Sequence, residues 1–260
     1  MALLARDRDE LEKARIELVQ KGGDVLTIPC NLFEREQVTS VVQKVVDHFG
    51  AIDVLINNAG IIDIGPIGHM RRDDFQRALD LHFWAPLDLI MTAIPHLRRK
   101  GEGRIVNIGS IGGRTAVPHL APYCASKFAL TGLSDSLRAE LARDQICVTT
   151  VTPGLMQTGS QENARFRGDH LAEYAWFSLA TALPFSSIKA EHAAARIISA
   201  SRRGLPSLTI PMAAQATILG SALFPNLVAK MMKVINRMLP SSVGPEGDVS
   251  RSGWELSQRE

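Results

Sequence analysis

The sequence predicts an α/β protein organised around a doubly wound parallel sheet, and three observations carry that expectation. Helix-period segments alternate with short β-branched runs as far as Gly154, the pattern of a sheet covered by helices on both faces. The run Arg104-Ile-Val-Asn-Ile-Gly-Ser110 is apolar without strict alternation, as a strand buried on both faces must be. A length of 260 residues, 45% of them hydrophobic and 22% charged, supplies one large core.

Residues 2–5 read as the first strand, 7–21 as a charged amphipathic helix stopped by Gly22-Gly23, and 24–29 as the next strand. Residues 34–49 form a helix and 53–56 a strand. The span 72–100 reads as one long helix kinked at Pro86, whose ring removes a backbone donor. A strand at 104–108 delivers Ser110, a helix at 121–143 carries Tyr123 and Lys127, and a strand at 146–152 closes on Pro153-Gly154. Helical stretches at 161–182 and 191–203 and an edge strand at 207–210 follow. One domain is expected over 1–240, with 155–190 as a substrate lid and 205–240 as an apolar C-terminal segment. Residues 241–260 are rich in Ser, Gly and charge and are expected to be a disordered tail.

Composition excludes several functions. A net charge of +2 with interspersed signs gives no footprint for nucleic acid, and Arg98-Arg99-Lys100 suits a helix C-terminus. The three cysteines and seven histidines show neither disulfide nor metal-ligand spacing, so no metal is expected and a reducing compartment is. Met1-Ala-Leu-Leu-Ala-Arg runs into charge too soon for a secretory leader. The expected location is the cytoplasm.

The chemistry lies in Ser110 and in Tyr123-Cys-Ala-Ser-Lys127. An i,i+4 spacing places the phenol and the ammonium on one helix face. A free tyrosine titrates near pH ~10, and a cation within about 4–6 Å favours phenolate. Lys127 is placed to supply that cation, and Ser110 to present a hydroxyl at the carboxyl edge of the sheet, where α/β ligands bind.

Together with Asn57-Asn-Ala-Gly60 after a strand and Pro153-Gly154-Leu-Met-Gln-Thr158, these residues make the chain resemble the short-chain dehydrogenase/reductase family over residues 1–210. The resemblance implies a Rossmann-like, three-layer fold and an NAD(P)-dependent oxidoreductase. It implies that Tyr123 exchanges a proton with the substrate oxygen, that Ser110 holds that oxygen, and that Lys127 binds the nicotinamide ribose. It assigns Leu32, Asn58, Ala59, Gly60, Pro153, Gly154 and Thr158 to the cofactor, with Asn31 beside the adenine. His82 stands where the family carries a catalytic asparagine; imidazole can hold a relay water, and the reading of His82 as a satisfied buried histidine stays open. Arg6, ending the first visible strand, favours NADP over NAD, which remains the alternative. The family commonly assembles as a homodimer or homotetramer through the helices at 72–100 and 121–143.

One departure is large. The family's opening strand and its Thr-Gly-x-x-x-Gly-x-Gly phosphate turn are absent from these residues, so the sheet is expected to lack its central strand and to leave two unpaired ladders.

His119, Tyr174 and Trp176 are placed at the substrate, a small hydrophobic carbonyl or alcohol, with a core role for the aromatics open as well. The uncharged stretch from Gly204 to Ala229 suits a lid or oligomer contact better than a peripheral membrane helix. Two other functions stay open: a cofactor-deficient scaffold, and a membrane-associated lipid or steroid-type reductase.

Overall fold

Strand β1 (Ala2–Ala5) and strand β2 (Leu26–Pro29) pair in parallel across helix α1 (Arg8–Gln20) in a computed structural model that describes residues 1–157, 159–182 and 187–258. Asp7 starts α1 by accepting hydrogen bonds from the Asp9 and Glu10 amides at 2.9 Å, satisfying two of the donors a helix start leaves open. Helix α2 (Arg35–Phe49) buries Val38, Val41 and Val42 and ends at Gly50, whose φ of 79° only glycine adopts freely.

Strand β3 (Val54–Asn57) and the short β4 (Asp63–Ile64) lead into helix α3 (Arg72–Leu79). The long helix foreseen over 72–100 is interrupted. Residues Asp80–Trp84 form a π turn in which the Ala85 amide reaches back to the Asp80 carbonyl, and helix α4 (Ala85–Lys100) continues from it. The cause is Pro86: a regular turn would need its N–H on the His82 carbonyl, and proline has none.

Strand β5 (Gly103–Ile108), helix α5 (Ala121–Leu141) and strand β6 (Ile146–Pro153) complete the centre. After them come β7 (Leu155–Gln157), α6 (Ser160–Asn163), β8 (Arg165–Phe166), α7 (His170–Ala182), β9 (Ser187–Lys189) and α8 (Ala190–Arg202). Strand β10 (Ser207–Ile210), α9 (Met212–Leu223), α10 (Pro225–Met238), β11 (Arg251–Ser252) and α11 (Gly253–Ser257) close the chain.

The main sheet is parallel, in the order β10-β6-β5-β3. Alternation along β5 divides its sides: Ile105 packs with Leu89, Ala93 and Leu97 of α4, whereas Val106 and Ile108 meet Val151 and Ile197 of α8. The foreseen break is present. Strand β3 pairs only with β5 and β1 only with β2 among the described residues, and Val54 and Ile56 on β3 remain 45% and 48% exposed.

The disordered tail expected at 241–260 is corrected for its described residues. Strand β11 pairs with β8, which also pairs with β4, and Leu256 is buried. His69 holds the approach to that strand: its Nδ1 lies 2.8 Å from Asp248 Oδ1 and its Nε2 2.8 Å from Ser242 Oγ. A polar composition concealed these long-range partners.

Candidate active site

Ser110 stands two residues past β5, at the carboxyl edge of the main sheet. Its Oγ accepts the Gly112 amide at 3.1 Å. The following glycines permit close approach: a Cβ on Gly113 would lie 2.7 Å from the Lys127 carbonyl oxygen, and one on Gly112 would lie 3.2 Å from the Tyr123 ring. The serine loop can therefore rest directly on the first turns of α5. Those two glycines serve the site, and their spacing against α5 is invisible in sequence.

On α5, Lys127 is buried beneath Tyr123, with Nζ 5.8 Å from the ring centre and donating to the Ile108 carbonyl at 2.8 Å. Burial pushes the Tyr123 phenol up to about 12, against an opposing hydrogen bond with Ser110 and with Cys124 adding to the rise. Burial likewise pulls Lys127 down to about 8. The expectation that Lys127 lowers the phenol's pKa is thus corrected. Desolvation outweighs the ammonium, which is tied to a backbone carbonyl.

His82 is brought to the same place by the π turn, and both of its nitrogens are engaged. Nε2 accepts the Ile61 amide at 3.1 Å, which leaves the proton on Nδ1, 2.7 Å from Ser126 Oγ. Ser126 in turn donates to the Tyr123 carbonyl at 2.8 Å. Burial, aided by the Lys127 charge, holds the imidazole well below its ordinary pKa. The neutral ring braces the residues after Asn57–Gly60 against α5, and neither nitrogen is free to hold a relay water in this arrangement. Its aromatic edge also meets the Tyr123 ring, at 5.6 Å between centroids.

A second brace was not foreseen. Asn57 donates to Asn107 Oδ1 at 2.8 Å, and Asn107 donates to Ser134 Oγ at 2.8 Å, linking β3, β5 and α5 through buried side chains.

The foreseen substrate residues are placed differently. Tyr174 packs against Phe166 inside a buried cluster with Ile64 and Phe177. Glu173, fully buried, takes His119 Nδ1 at 2.7 Å and the Trp176 indole N–H on its two oxygens. His119 thus ties the loop before α5 to Glu173 of α7, while Trp176 bonds the same acid from within α7 and Tyr174 packs on β8. The spacing of Glu173 and Trp176 puts both on one helix face, and the buried acid draws the polar tips inward.

Toward the cofactor positions, Arg6 is exposed at the carboxyl end of β1, and Asn58, Ala59 and Gly60 are exposed after β3. Asn31 is engaged locally: its Oδ1 accepts the Phe33 backbone amide and its own backbone N–H donates to Gln37 Oε1. Leu32, half-buried, packs between the clusters around Val38 and Ile28. The Gly154 amide donates to the Ile210 carbonyl at 2.7 Å, holding the Pro153-Gly154 bend against α9. Thr158 lies outside the described residues.

The short chain dehydrogenase family profile matches residues 1–167. The chain belongs to that family. It is 37% identical over 169 residues to a dehydrogenase/reductase SDR family protein 7-like protein of Anopheles gambiae, a match covering 63% of this chain and 53% of that protein. The chain thus spans about half the length of the curated relatives it matches. Among solved structures, a short-chain dehydrogenase/reductase from Burkholderia phymatum in complex with NAD superposes with a TM-score of 0.80 at 19% identity, covering 87% of this chain and 85% of that one. A gluconate 5-dehydrogenase from Burkholderia cenocepacia in complex with NADP and tartrate gives 0.70 at 23%, covering 83% and 85%. These likenesses show the fold, a Rossmann-type parallel sheet.

In this short-chain dehydrogenase the donor set fits the nicotinamide end of a dinucleotide. The Lys127 ammonium has three N–H donors and, among the described residues, gives one to Ile108. The other two are buried beside the exposed Gly60, whose added Cβ would lie 3.9 Å from Nζ. A pair of ribose hydroxyls suits that donor pair.

Proposed function

We propose that the chain carries the proton-transfer site of an oxidoreductase that interconverts a hydroxyl and a carbonyl with a nicotinamide dinucleotide. The observation that supports this best is the convergence of Ser110, Tyr123 and a buried, donor-rich Lys127 at the sheet's carboxyl edge. The dinucleotide, when bound, supplies or accepts hydride at the substrate carbon.

The chain's own residues handle the oxygen. In reduction, Tyr123 Oη gives its proton to the carbonyl oxygen while Ser110 Oγ donates to the same oxygen; in oxidation the proton returns to Tyr123. A phenol pushed up to about 12 holds its proton at neutral pH and is ready to act as the acid in reduction. Lys127 grips the ribose and orients it.

NADP is the proposed nucleotide, because the exposed Arg6 guanidinium ending β1 suits a 2′-phosphate. The substrate is proposed to be a small apolar carbonyl compound. Self-association through α4 and α5 is supported by the exposed Trp84, Met91 and Phe128 on and beside them. Free thiols at Cys30, Cys124 and Cys147 support a reducing compartment such as the cytoplasm.

Titration of the chain with NADPH and NADH, followed by nucleotide fluorescence, tests the reading. Binding of NADPH that weakens on Lys127→Met is expected, with Arg6→Ala narrowing the difference between the nucleotides. Absence of binding to either nucleotide by the folded chain would favour a scaffold.

A further inference from the structure

Helices α9 and α10 stand out because they leave their apolar residues in water. Helix α10 turns Val228 and Met232 toward a cleft of about 760 Å³ shared with the Arg114–Pro118 loop. Leu227, Met231, Val234 and Met238, with Ile235 beside them, are exposed, Met238 by 81%. Their spacing of four, three and four residues makes one continuous stripe. Helix α9 continues the surface with the exposed Met212, Leu219 and Leu223, and Phe224 stands exposed at the junction.

The charges beside that stripe all have one sign. Lys230, Lys233 and Arg237 follow the same spacing one position off the apolar line, and every one is exposed. From Gly204 to Pro245 the sequence contains no Asp or Glu. An apolar stripe bordered by cations alone matches a bilayer interface, where acyl chains receive the stripe and anionic headgroups receive the cations. A symmetric contact between two copies would instead set three cations of each against helices without a carboxylate.

By length and composition α9 and α10 could cross a membrane only together, as a bent pair. No single helix among the described residues is long and apolar enough to span, and α9 and α10 meet at a bend of 118°. The 14 residues of α10 make a rod of about 21 Å, short of a hydrocarbon core of about 30 Å.

We propose that α9 and α10 form a docking surface for an anionic lipid bilayer, seating the chain in the plane of the headgroups. The test is flotation of the full chain with vesicles of phosphatidylcholine alone and of phosphatidylcholine mixed with phosphatidylglycerol, at low and high salt. Retention on the anionic vesicles, weakened by salt, is the expected result. The Met231→Glu/Val234→Glu variant should lose it with an unchanged melting temperature, because both side chains are exposed. Lys230→Gln, Lys233→Gln and Arg237→Gln should each weaken retention about fivefold. The proposal is overturned if the chain floats with neither vesicle, or if Met231→Glu/Val234→Glu binds as before. It is also overturned if that variant's only effect is to dissociate a lipid-independent dimer, which would assign the stripe to a second copy.

Discussion

Residues 54–153 and residues 1–31 hold their polar groups in opposite ways. In the first region the partners come from distant elements: Asn57 with Asn107, Asn107 with Ser134, His82 with Ile61 and Ser126, Lys127 with Ile108. In the second most are local and exposed: Asp7 with its own helix, Glu12 with Arg15, Glu17 with Lys21, and, part-buried, Asn31 with Phe33. The end carrying Ser110, Tyr123 and Lys127 is therefore fixed by the tertiary fold. The end carrying Arg6 is held by local caps and one two-stranded ladder, and it offers exposed charge.

Tyr123→Phe should give the largest effect, because it removes the proton and leaves the ring's packing. Carbonyl reduction with NADPH is expected to fall by about 10²–10⁴-fold, with nucleotide binding and melting temperature close to the parent. Retained turnover would move the acid to another residue. Lys127 sharpens the same side through pH. Its folded value of about 8 lies below the ordinary 10.5, so the unfolded chain binds the extra proton between them and stability rises with pH across that window. Above pH 10 the trend is opposed, since the unfolded phenol ionises while Tyr123 keeps its proton up to about 12. Urea midpoints taken from pH 7 upward should show the rise in the parent and a flatter profile in Lys127→Met.

His82→Ala should come next in size. It orphans the part-buried Ile61 amide, a loss of about 1–3 kcal/mol, and takes one of the two partners of the Ser126 hydroxyl, which keeps its bond to the Tyr123 carbonyl. Acid exposes the same brace. The folded imidazole titrates well below 6.5, so the unfolded chain takes up the proton first and stability falls as pH drops below 6.5. His82→Gln, which cannot titrate, should lose that acid-side slope. An unchanged slope would place His82 outside the structural network.

The sequence made Ser110, Tyr123 and Lys127 legible because a helical spacing and one buried strand suffice to bring them together. The role of His82 was not legible: its partners lie 21 and 44 residues away, and the π turn that aims it depends on Pro86. The tail misled for a related reason. Its Ser- and Gly-rich composition reads as disorder, yet Gly253 is required where a Cβ would collide with the Gln161 carbonyl, and His69 pins the approach from far upstream. The aromatics of α7 were drawn inward by Glu173, an acid whose burial no periodicity announces. Local geometry was readable, and contacts between distant segments were not.

Asp7→Ala should give the smallest effect and tests whether the N-terminal region is held locally. The change frees the Asp9 and Glu10 amides, but both are exposed and water can replace the carboxylate. A lost cap of this kind costs about 1 kcal/mol, read as a shift of the urea midpoint at constant slope. Because α1 packs on β1 and β2, the shift should leave the pH profiles set by Lys127 and His82 unchanged. If Asp7→Ala instead costs as much as His82→Ala and alters those profiles, the cap is coupled to the buried network. The contrast between a tertiary-braced site and a locally held end would then have to be abandoned.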